Sequence, residues 1–174
     1  MSIQRELKQN RPFRGPTAET AVALMRTGDL VRRTLTALVE PYGITLQQYN
    51  VLRILRGAGE RGLPTLEIAE RMIEQTPGIT RLIDRLELKQ FVRRERCETD
   101  RRQVFCHITE PGLALLAKLD DPIRDSEDQS LSMFTEKQLT QLLALLERAR
   151  KGLHVTLSAR REEMEQVEDQ EATG

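Results

Sequence analysis

The stretch that decides the fold runs from Thr76 to Thr109 and reads TPGITRLIDRLELKQFVRRERCETDRRQVFCHIT. Its first residues predict a helix start, because Thr76 can accept a capping hydrogen bond and Pro77 suits the first helical position. Apolar residues then recur at helical spacing, at Ile79, Leu82, Ile83 and Leu86. This spacing predicts a helix with one buried face. The opposite face carries Thr80, Arg81, Asp84, Arg85 and Leu88.

A hairpin is predicted directly after this helix. One strand runs from Phe91 to Cys97 and the other from Gln103 to Ile108, with the polar turn Glu98–Arg102 between them. Two shorter helices precede the stretch, from Thr45 to Gly57 and from Thr65 to Met72. The later of these and the helix of the stretch are predicted to form a helix-turn-helix. The hairpin makes the unit winged. In such a unit the second helix enters the major groove of DNA.

Charge is segregated along the chain, although its 27 basic and 27 acidic residues balance overall. The stretch from Thr76 to Thr109 holds eight basic and five acidic residues, whereas the chain from Arg160 onward holds two basic and six acidic ones. A local excess of positive charge is what a nucleic-acid surface requires. The opening stretch is therefore the candidate surface, and the balance of the whole chain carries no such information.

Four arginines have the chemistry to read DNA. Arg81 and Arg85 lie on the exposed face of the predicted helix, where a guanidinium can make two hydrogen bonds to guanine. Arg102, at the hairpin tip, can enter a narrow minor groove, and Arg101 lies beside it. The hydroxyl of Thr80 can contact phosphate or bases. The alternative for each arginine is a solvated side chain, or one that pairs with an acid inside the protein.

The helices on either side of this unit have apolar stripes without an obvious core partner. A second copy of the chain is the simplest partner, so these helices are predicted to form a dimer interface. The predicted organisation is a mobile basic N-terminal tail at 1–16, an N-terminal dimerisation helix at 17–43, the winged helix-turn-helix at 44–110, a long linking helix and C-terminal dimerisation helix at 111–164, and an acidic disordered tail at 165–174.

Several helix boundaries are predicted from capping chemistry. They are capping boxes at Thr45–Gln48 and Thr135–Gln138, and single caps at Thr17, Thr65 and Thr109. Pro122 is predicted to kink or break the helix that contains it, because it removes a backbone donor and clashes with the preceding turn.

No catalytic, metal or membrane function is predicted. The sequence has no Gly-rich phosphate loop and no nucleophile elbow. Its cysteines and histidines, at Cys97, Cys106, His107 and His154, lack the spacing of a zinc site. No apolar run approaches the ~20 residues that span a bilayer. The prediction is a soluble cytoplasmic protein, associated with the nucleoid, that needs no cofactor.

The order of these parts resembles the MarR family of bacterial transcription regulators. The sequences that carry the resemblance are ITLQQYNVLRIL, LEIAERM, ITRLIDRLELKQFVRR, DRRQVFCHIT and FTEKQLTQLLALLE, and it extends from Thr17 to about Lys151. The resemblance implies a mainly α-helical fold with a small β-hairpin wing, flanked by N- and C-terminal dimerisation helices. It also implies a homodimer that binds a pseudo-palindromic operator on double-stranded DNA, usually represses transcription, and is released by a small, often aromatic or anionic, effector.

Carried onto this sequence, the family's recognition-helix contacts fall at Thr76, Gly78, Thr80, Arg81 and Arg85. Arg102 matches the wing arginine that enters the minor groove, and Asp100 matches the acid that steadies the wing. Asp84 is expected to pair with an arginine of the wing. Gln90 departs from the family pattern, since relatives commonly have glycine there, and we expect an altered turn after the helix.

Two other functions are open from the sequence. A winged helix can serve protein association or non-specific DNA architecture, in which case it would prefer no palindrome. A thiol-based redox regulator would need a reactive cysteine, for which Cys97 near the hairpin tip is the candidate. Members of the family that sense peroxide carry that cysteine near the N-terminal helices, where this chain has none. The basic segment 1–16 either touches DNA phosphates or is a solvated terminus.

Overall fold

The computed structural model describes residues 2–74, 78–96 and 104–172, with side chains through Val167. Over these residues the chain forms seven α-helices and a three-stranded sheet, and it divides into two compact units, Met1–Glu127 and Asp128–Gly174. The helices are α1 (Ile3–Glu6), α2 (Pro16–Val39), α3 (Leu46–Ala58), α4 (Thr65–Arg71), α5 (Ile79–Leu88), α6 (Glu110–Leu131) and α7 (Glu136–Ala172), and the strands are β1 (Leu63–Pro64), β2 (Val92–Arg96) and β3 (Val104–Ile108). The mainly α-helical class with a small β wing is confirmed.

The hydrophobic core lies in the first unit and holds the short helices, the sheet and α6 together. Its fully buried members include Leu52 and Leu55 of α3, Ile68 of α4, Ile83 and Leu86 of α5, and Leu116 and Leu119 of α6. Each such side chain stabilises the fold by about 1.5–3 kcal/mol relative to exposure. The core therefore determines which face of α5 points outward.

Both predicted capping boxes are confirmed. At the start of α3, Gln48 N–H donates to Thr45 Oγ1 at 3.2 Å and Thr45 N–H donates to Gln48 Oε1 at 3.0 Å. At the start of α7, Gln138 N–H donates to Thr135 Oγ1 at 3.4 Å and Thr135 N–H donates to Gln138 Oε1 at 2.9 Å. Each pair satisfies two backbone donors that a helix end leaves unpaired.

The single caps are only partly as predicted. Thr109 caps α6, since its Oγ1 accepts from Gly112 N–H at 3.3 Å. Thr17 does not cap α2, which begins one residue earlier with Pro16 in its first position. Thr65 does not cap α4 either, because the residue before that helix is Pro64. The hydroxyl of the half-buried Thr65 lies instead 3.9 Å from the sulfur of the buried Cys106.

The predicted hairpin is confirmed in its two arms, and its tip lies outside the described residues. β3 pairs antiparallel with β2 on one side and with β1 on the other, so the strand order is β1-β3-β2. The register places Cys106 opposite Arg94. The strand β1 was not predicted, because two residues are too few to show the alternation that marks a strand.

Helix α5 ends in a Schellman motif whose left-handed residue is Gln90. Gln90 has a φ of 62°. Its N–H donates to Glu87 O at 2.8 Å, and Phe91 N–H donates to Leu86 O at 3.0 Å. Thr109 Oγ1 donates to Gln90 O at 2.6 Å. The altered turn that we expected is therefore not formed: glutamine adopts the conformation that favours glycine, and these hydrogen bonds hold it there.

The start of α6 packs directly on this turn. A Cβ added to Gly112 would approach the carbonyl oxygen of Phe91 to 2.5 Å, so only glycine fits. Thr109 N–H also donates to Phe91 O at 3.1 Å. Backbone contacts thus join the end of α5 to the beginning of α6.

Two helices are longer than the sequence predicted. α6 is continuous through Pro122, so of the kink or break predicted there, the break does not occur. Its buried side chains Leu119 and Ile123 flank the proline, and their burial offsets the lost hydrogen bond. α7 continues to Ala172, so the segment 165–172, which was predicted to be disordered, is helical.

The N-terminal segment 1–16, predicted as a mobile tail, contains the four-residue helix α1. Arg26 Nε of α2 lies 2.6 Å from Glu6 Oε1 of this helix. This ion pair links α1 to α2, so the segment is not wholly an extended tail.

We expect Gln90→Gly to stabilise the protein by about 1 kcal/mol, because a left-handed conformation costs other residues about 1–2 kcal/mol and glycine loses part of that gain to chain entropy. The melting temperature should rise by about 2–4 °C, as measured by circular dichroism. The matched control is Leu88→Gly, two positions earlier in the helix, where the lost side chain is 85% exposed. It should lower stability by about 1 kcal/mol. Destabilisation by both variants would contradict the role assigned to Gln90.

Candidate nucleic-acid interface

Helix α5 has one buried and one exposed face, as its periodicity predicted. Leu82, Ile83 and Leu86 are no more than 8% exposed, and Ile79 packs against the same core. The exposed residues are Thr80, Arg81, Asp84, Arg85 and Leu88. Burial of the apolar face therefore leaves the polar face of α5 exposed.

The helix begins later than the sequence predicted. Its first residue is Ile79, and Gly78 before it has a φ of 92° in the left-handed region. A left-handed residue cannot continue a right-handed helix, so the geometry at Gly78 sets the start. Thr76 and Pro77, where the start was predicted, lie outside the described residues.

Arg94 of β2 lies against α5 and binds three of its residues. Nη2 is 2.6 Å from Asp84 Oδ1 and donates to Thr80 O at 3.3 Å, while Nη1 donates to Glu87 Oε2 at 2.7 Å. The N–H of Arg94 also donates to Glu87 Oε1 at 3.2 Å. These four residues form the Arg94 cluster. The pairing expected between Asp84 and an arginine of the wing is therefore formed, by a strand residue.

The Arg94 cluster neutralises two acids on α5. Asp84 and Glu87 are three residues apart on α5 and repel each other without a cation between them. Burial works against the charge of Arg94, but its hydrogen bonds and charge interactions with Asp84 and Glu87 outweigh burial and raise its pKa. The side chain of Arg94 is only 23% exposed, so solvent screens these interactions less than it screens surface pairs.

Glu87 was missed at the sequence level. The available signal was its position three residues after Asp84, which places both carboxylates on neighbouring turns of one helix face. A single arginine can then bind both, because its guanidinium has five N–H donors in a fixed plane.

Arg81 and Arg85 differ from Arg94 in their surroundings. Both are exposed, and neither has a hydrogen-bond or ion-pair partner among the residues that the structure describes. They are four residues apart and therefore project from the same face of α5. Gly78 and Thr80 are also exposed, so four of the predicted site residues lie at the start and on the exposed face of α5. The wing residues Asp100, Arg101 and Arg102 lie outside the described ranges.

The thiol of Cys106 is a poor candidate for redox chemistry. The residue is fully buried, and burial raises the pKa of its thiol despite the opposing effects of Thr65 and Arg94. The thiolate is the reactive form of cysteine, so the raised pKa keeps Cys106 unreactive. Cys97 lies in the gap between residues 96 and 104, where the structure gives no description.

The described part of the chain shows neither a metal site nor a membrane span. Within it, no group of three or more His, Cys, Asp or Glu side chains is arranged to hold a metal ion. Within the same ranges, no helix has the length and apolar character needed to cross a membrane.

Comparison with known proteins places this geometry in a family. The model of the MarR family matches residues 44–104. The chain is 30% identical over 131 residues to the HTH-type transcriptional regulator PecS of Dickeya dadantii, covering 75% of this chain and 79% of PecS. It is 36% identical to a MarR transcription factor from Planctomyces limnophilus, whose crystal structure superposes with a TM-score of 0.60 over 78% of this chain and 98% of that one. The chain belongs to the MarR family.

A further MarR-family structure is Sco3205 from Streptomyces coelicolor, which was solved in complex with DNA. Its TM-score is 0.70 and its identity 23%, over 83% of this chain and 92% of that one, and a likeness at this identity concerns the fold. The relatives are transcription regulators. This MarR-family chain is accordingly a regulator and not an enzyme.

We expect Arg94→Met to destabilise this MarR-family protein by about 1–3 kcal/mol, because it leaves Asp84 and Glu87 without the cation they share. Methionine keeps most of the buried stem, so packing is largely retained. Urea unfolding measures the change. The control is Arg93→Met on the neighbouring residue, which is 55% exposed and pairs with the exposed Glu95. Its effect should stay within about 0.5 kcal/mol. Equal losses in the two variants would show that the Arg94 cluster has no special role.

Proposed function

We propose that this MarR-family regulator binds a pseudo-palindromic operator on double-stranded DNA as a homodimer and represses transcription. The observation that carries the proposal is the exposed face of α5. There, Arg81 and Arg85 point outward, while Arg94 neutralises the acids Asp84 and Glu87 on the same helix. The face therefore offers two guanidiniums, the side chains best suited to reading guanine in the major groove.

The proposed DNA contacts are Thr76, Gly78, Thr80, Arg81 and Arg85 at the recognition helix and Arg101 and Arg102 at the wing. Asp84 and Asp100 are proposed to stabilise the wing, and the ion pair between Asp84 and Arg94 of β2 supports this role for Asp84. Two recognition helices of a homodimer would enter successive major grooves about one helical turn, roughly 34–36 Å, apart.

Exposed apolar side chains support the homodimer. In the single chain Met25 and Val31 of α2 are 75% and 54% exposed, and Leu143 of α7 is 65% exposed. Large apolar side chains exposed on helices of this kind mark an interaction site, and a second copy would cover them. We propose that the segments 17–43 and 111–164 provide the dimer interface, and that the protein acts on the nucleoid in the cytoplasm.

A cavity of about 240 Å³ supports a small-molecule effector. Its lining comes from the end of α2 and the residues after it, the start of α3 and one residue after α4, and consists of Arg32, Thr36, Glu40, Ile44, Thr45, Leu46, Gln47 and Glu74. Gln47 Nε2 donates to Glu74 Oε2 at 3.4 Å, and Asn50 Oδ1 accepts from Ile73 N–H at 3.0 Å. A compound that separated these groups would move the chain that leads into α5, and so would change operator affinity.

We expect selection of bound genomic fragments to yield an inverted repeat with half-sites about 10 base pairs apart. On that operator, Arg81→Ala should weaken binding by about 5- to 150-fold and relax the base preference at one position of each half-site, because it removes one bidentate contact. Fluorescence anisotropy measures the affinity. Arg124→Ala is the control, since Arg124 of α6 is an exposed arginine that pairs with Asp121.

The same experiment distinguishes the competing function. A non-specific DNA-architectural protein would yield no inverted repeat, and Arg81→Ala would then weaken binding to every sequence alike. A winged unit used for protein association would retain no DNA fragments above background.

The effector is tested with aromatic carboxylates of increasing size, beginning with benzoate. We expect a compound that acts as effector to raise the melting temperature and to weaken operator binding by about 5- to 150-fold. Thr36→Trp should abolish both effects by filling the cavity. Glu60→Trp, at an exposed residue outside the cavity lining and the proposed dimer segments, should leave them unchanged. A compound whose two effects persist in the Thr36→Trp protein binds elsewhere, and that result would contradict the assignment of this cavity.

A further inference from the structure

Helix α7 carries a narrow apolar stripe near its C-terminal end. Leu153, Leu157, Met164 and Val167 are between 54% and 64% exposed. At about 100° of rotation per residue, these four side chains lie within about 80° of one another around the helix. Arg160 lies at the middle of the stripe. The stripe has the spacing of a seam that packs against another helix.

This part of α7 lies outside the residues that the model of the MarR family matches, which are 44–104. The helix continues to Ala172. An isolated helix is marginal in water even at 12–15 residues, so a long exposed helix with an apolar stripe needs a packing partner.

Charge along the same part of α7 is divided into two blocks. Residues 148–161 contain five basic side chains and no acid, and residues 162–171 contain six acids and no basic side chain. The boundary between the blocks falls between Arg161 and Glu162, close to Arg160 at the centre of the apolar stripe. The apolar residues are therefore placed symmetrically about Arg160, and the charge changes sign close to the same point.

The apolar stripe and the charge blocks together favour the same segment of a second copy as the partner, in the antiparallel direction. If two copies of the segment lay parallel, each acidic block would face the other and each basic block would face the other, which is unfavourable. If they lay antiparallel about Arg160, each basic block would face an acidic block. The apolar residues would also match, because Leu153 and Val167 are equidistant from Arg160, and Leu157 and Met164 nearly so.

We propose that residues 148–171 of α7 pair antiparallel with the same segment of a second copy, centred on Arg160. Leu153 then packs against the partner's Val167, and Leu157 packs against the partner's Met164. The inference rests on the proposed homodimer and deepens it, by giving the orientation and register of one contact. Arg160 lies opposite the partner's Arg160, and this like-charge contact weakens the pair.

Disulfide crosslinking tests the register in the full-length chain. The background is Cys97→Ser, with the buried Cys106 retained. The double variant Leu153→Cys with Val167→Cys should oxidise to a covalent dimer on a non-reducing gel. Each single variant should stay uncrosslinked, because the two copies of either residue would be about 21 Å apart along the helix. A disulfide requires α-carbons within about 7 Å.

Each outcome of the crosslinking either supports the antiparallel pairing or contradicts it. Efficient crosslinking of the single variants would show parallel pairing and overturn the proposal, and absence of crosslinking in the double variant would overturn it too. Light scattering and operator binding on the same proteins separate this from the proposed function. A dimer that binds operator but does not crosslink contradicts the pairing alone, and a monomer contradicts the homodimer. A crosslinked species of four chains supports the pairing and assigns the second copy to another dimer.

A second measurement tests the contact between Arg160 and the partner's Arg160. Arg160→Leu should lower the dissociation constant of the dimer several-fold in sedimentation at dilution, because it replaces like charges with an apolar contact. Ser158→Leu adds the same side chain away from the stripe and should leave the constant unchanged. Equal strengthening by both would contradict a specific seam through Arg160.

Discussion

The exposed face of α5 depends on one guanidinium supplied by a different element of the fold. Arg94 of β2 binds Asp84, Glu87 and the carbonyl of Thr80, and so joins the wing strand to the helix at three points. Without this cation, the helix would present two carboxylates beside Arg81 and Arg85, and their charges would cancel. One side chain thus joins the helix to the wing strand and leaves the exposed face with a net positive charge.

The parts of this arrangement that could be predicted are those encoded by neighbours in sequence. Burial of Leu82, Ile83 and Leu86 follows from helical period, and the two capping boxes follow from a threonine and a glutamine three residues apart. Arg94 was harder, because three arginines lie within the residues 93–96. Which of them turns toward α5 depends on the register of β2 against β3, and that register is set by long-range pairing rather than by local sequence.

The failures have a common physical origin, since tertiary burial outweighs local preference. Pro122 disfavours a helix, yet α6 continues through it because Leu119 and Ile123 are both buried. Gln90 disfavours a left-handed turn, yet the hydrogen bonds around it and the close approach of Gly112 leave no other conformation. Thr65 has the chemistry of a cap, but its hydroxyl lies against Cys106 instead.

Gly78, the residue before α5, limits where this surface can change in evolution. Its φ of 92° lies in the left-handed region, which costs a residue other than glycine about 1–2 kcal/mol. A Cβ at this position would meet nothing within 4 Å, so the backbone conformation disfavours a side chain there although space does not. If α5 binds DNA as proposed, new operator preferences would arise more readily by substitution at Thr80, Arg81 or Arg85 than at Gly78.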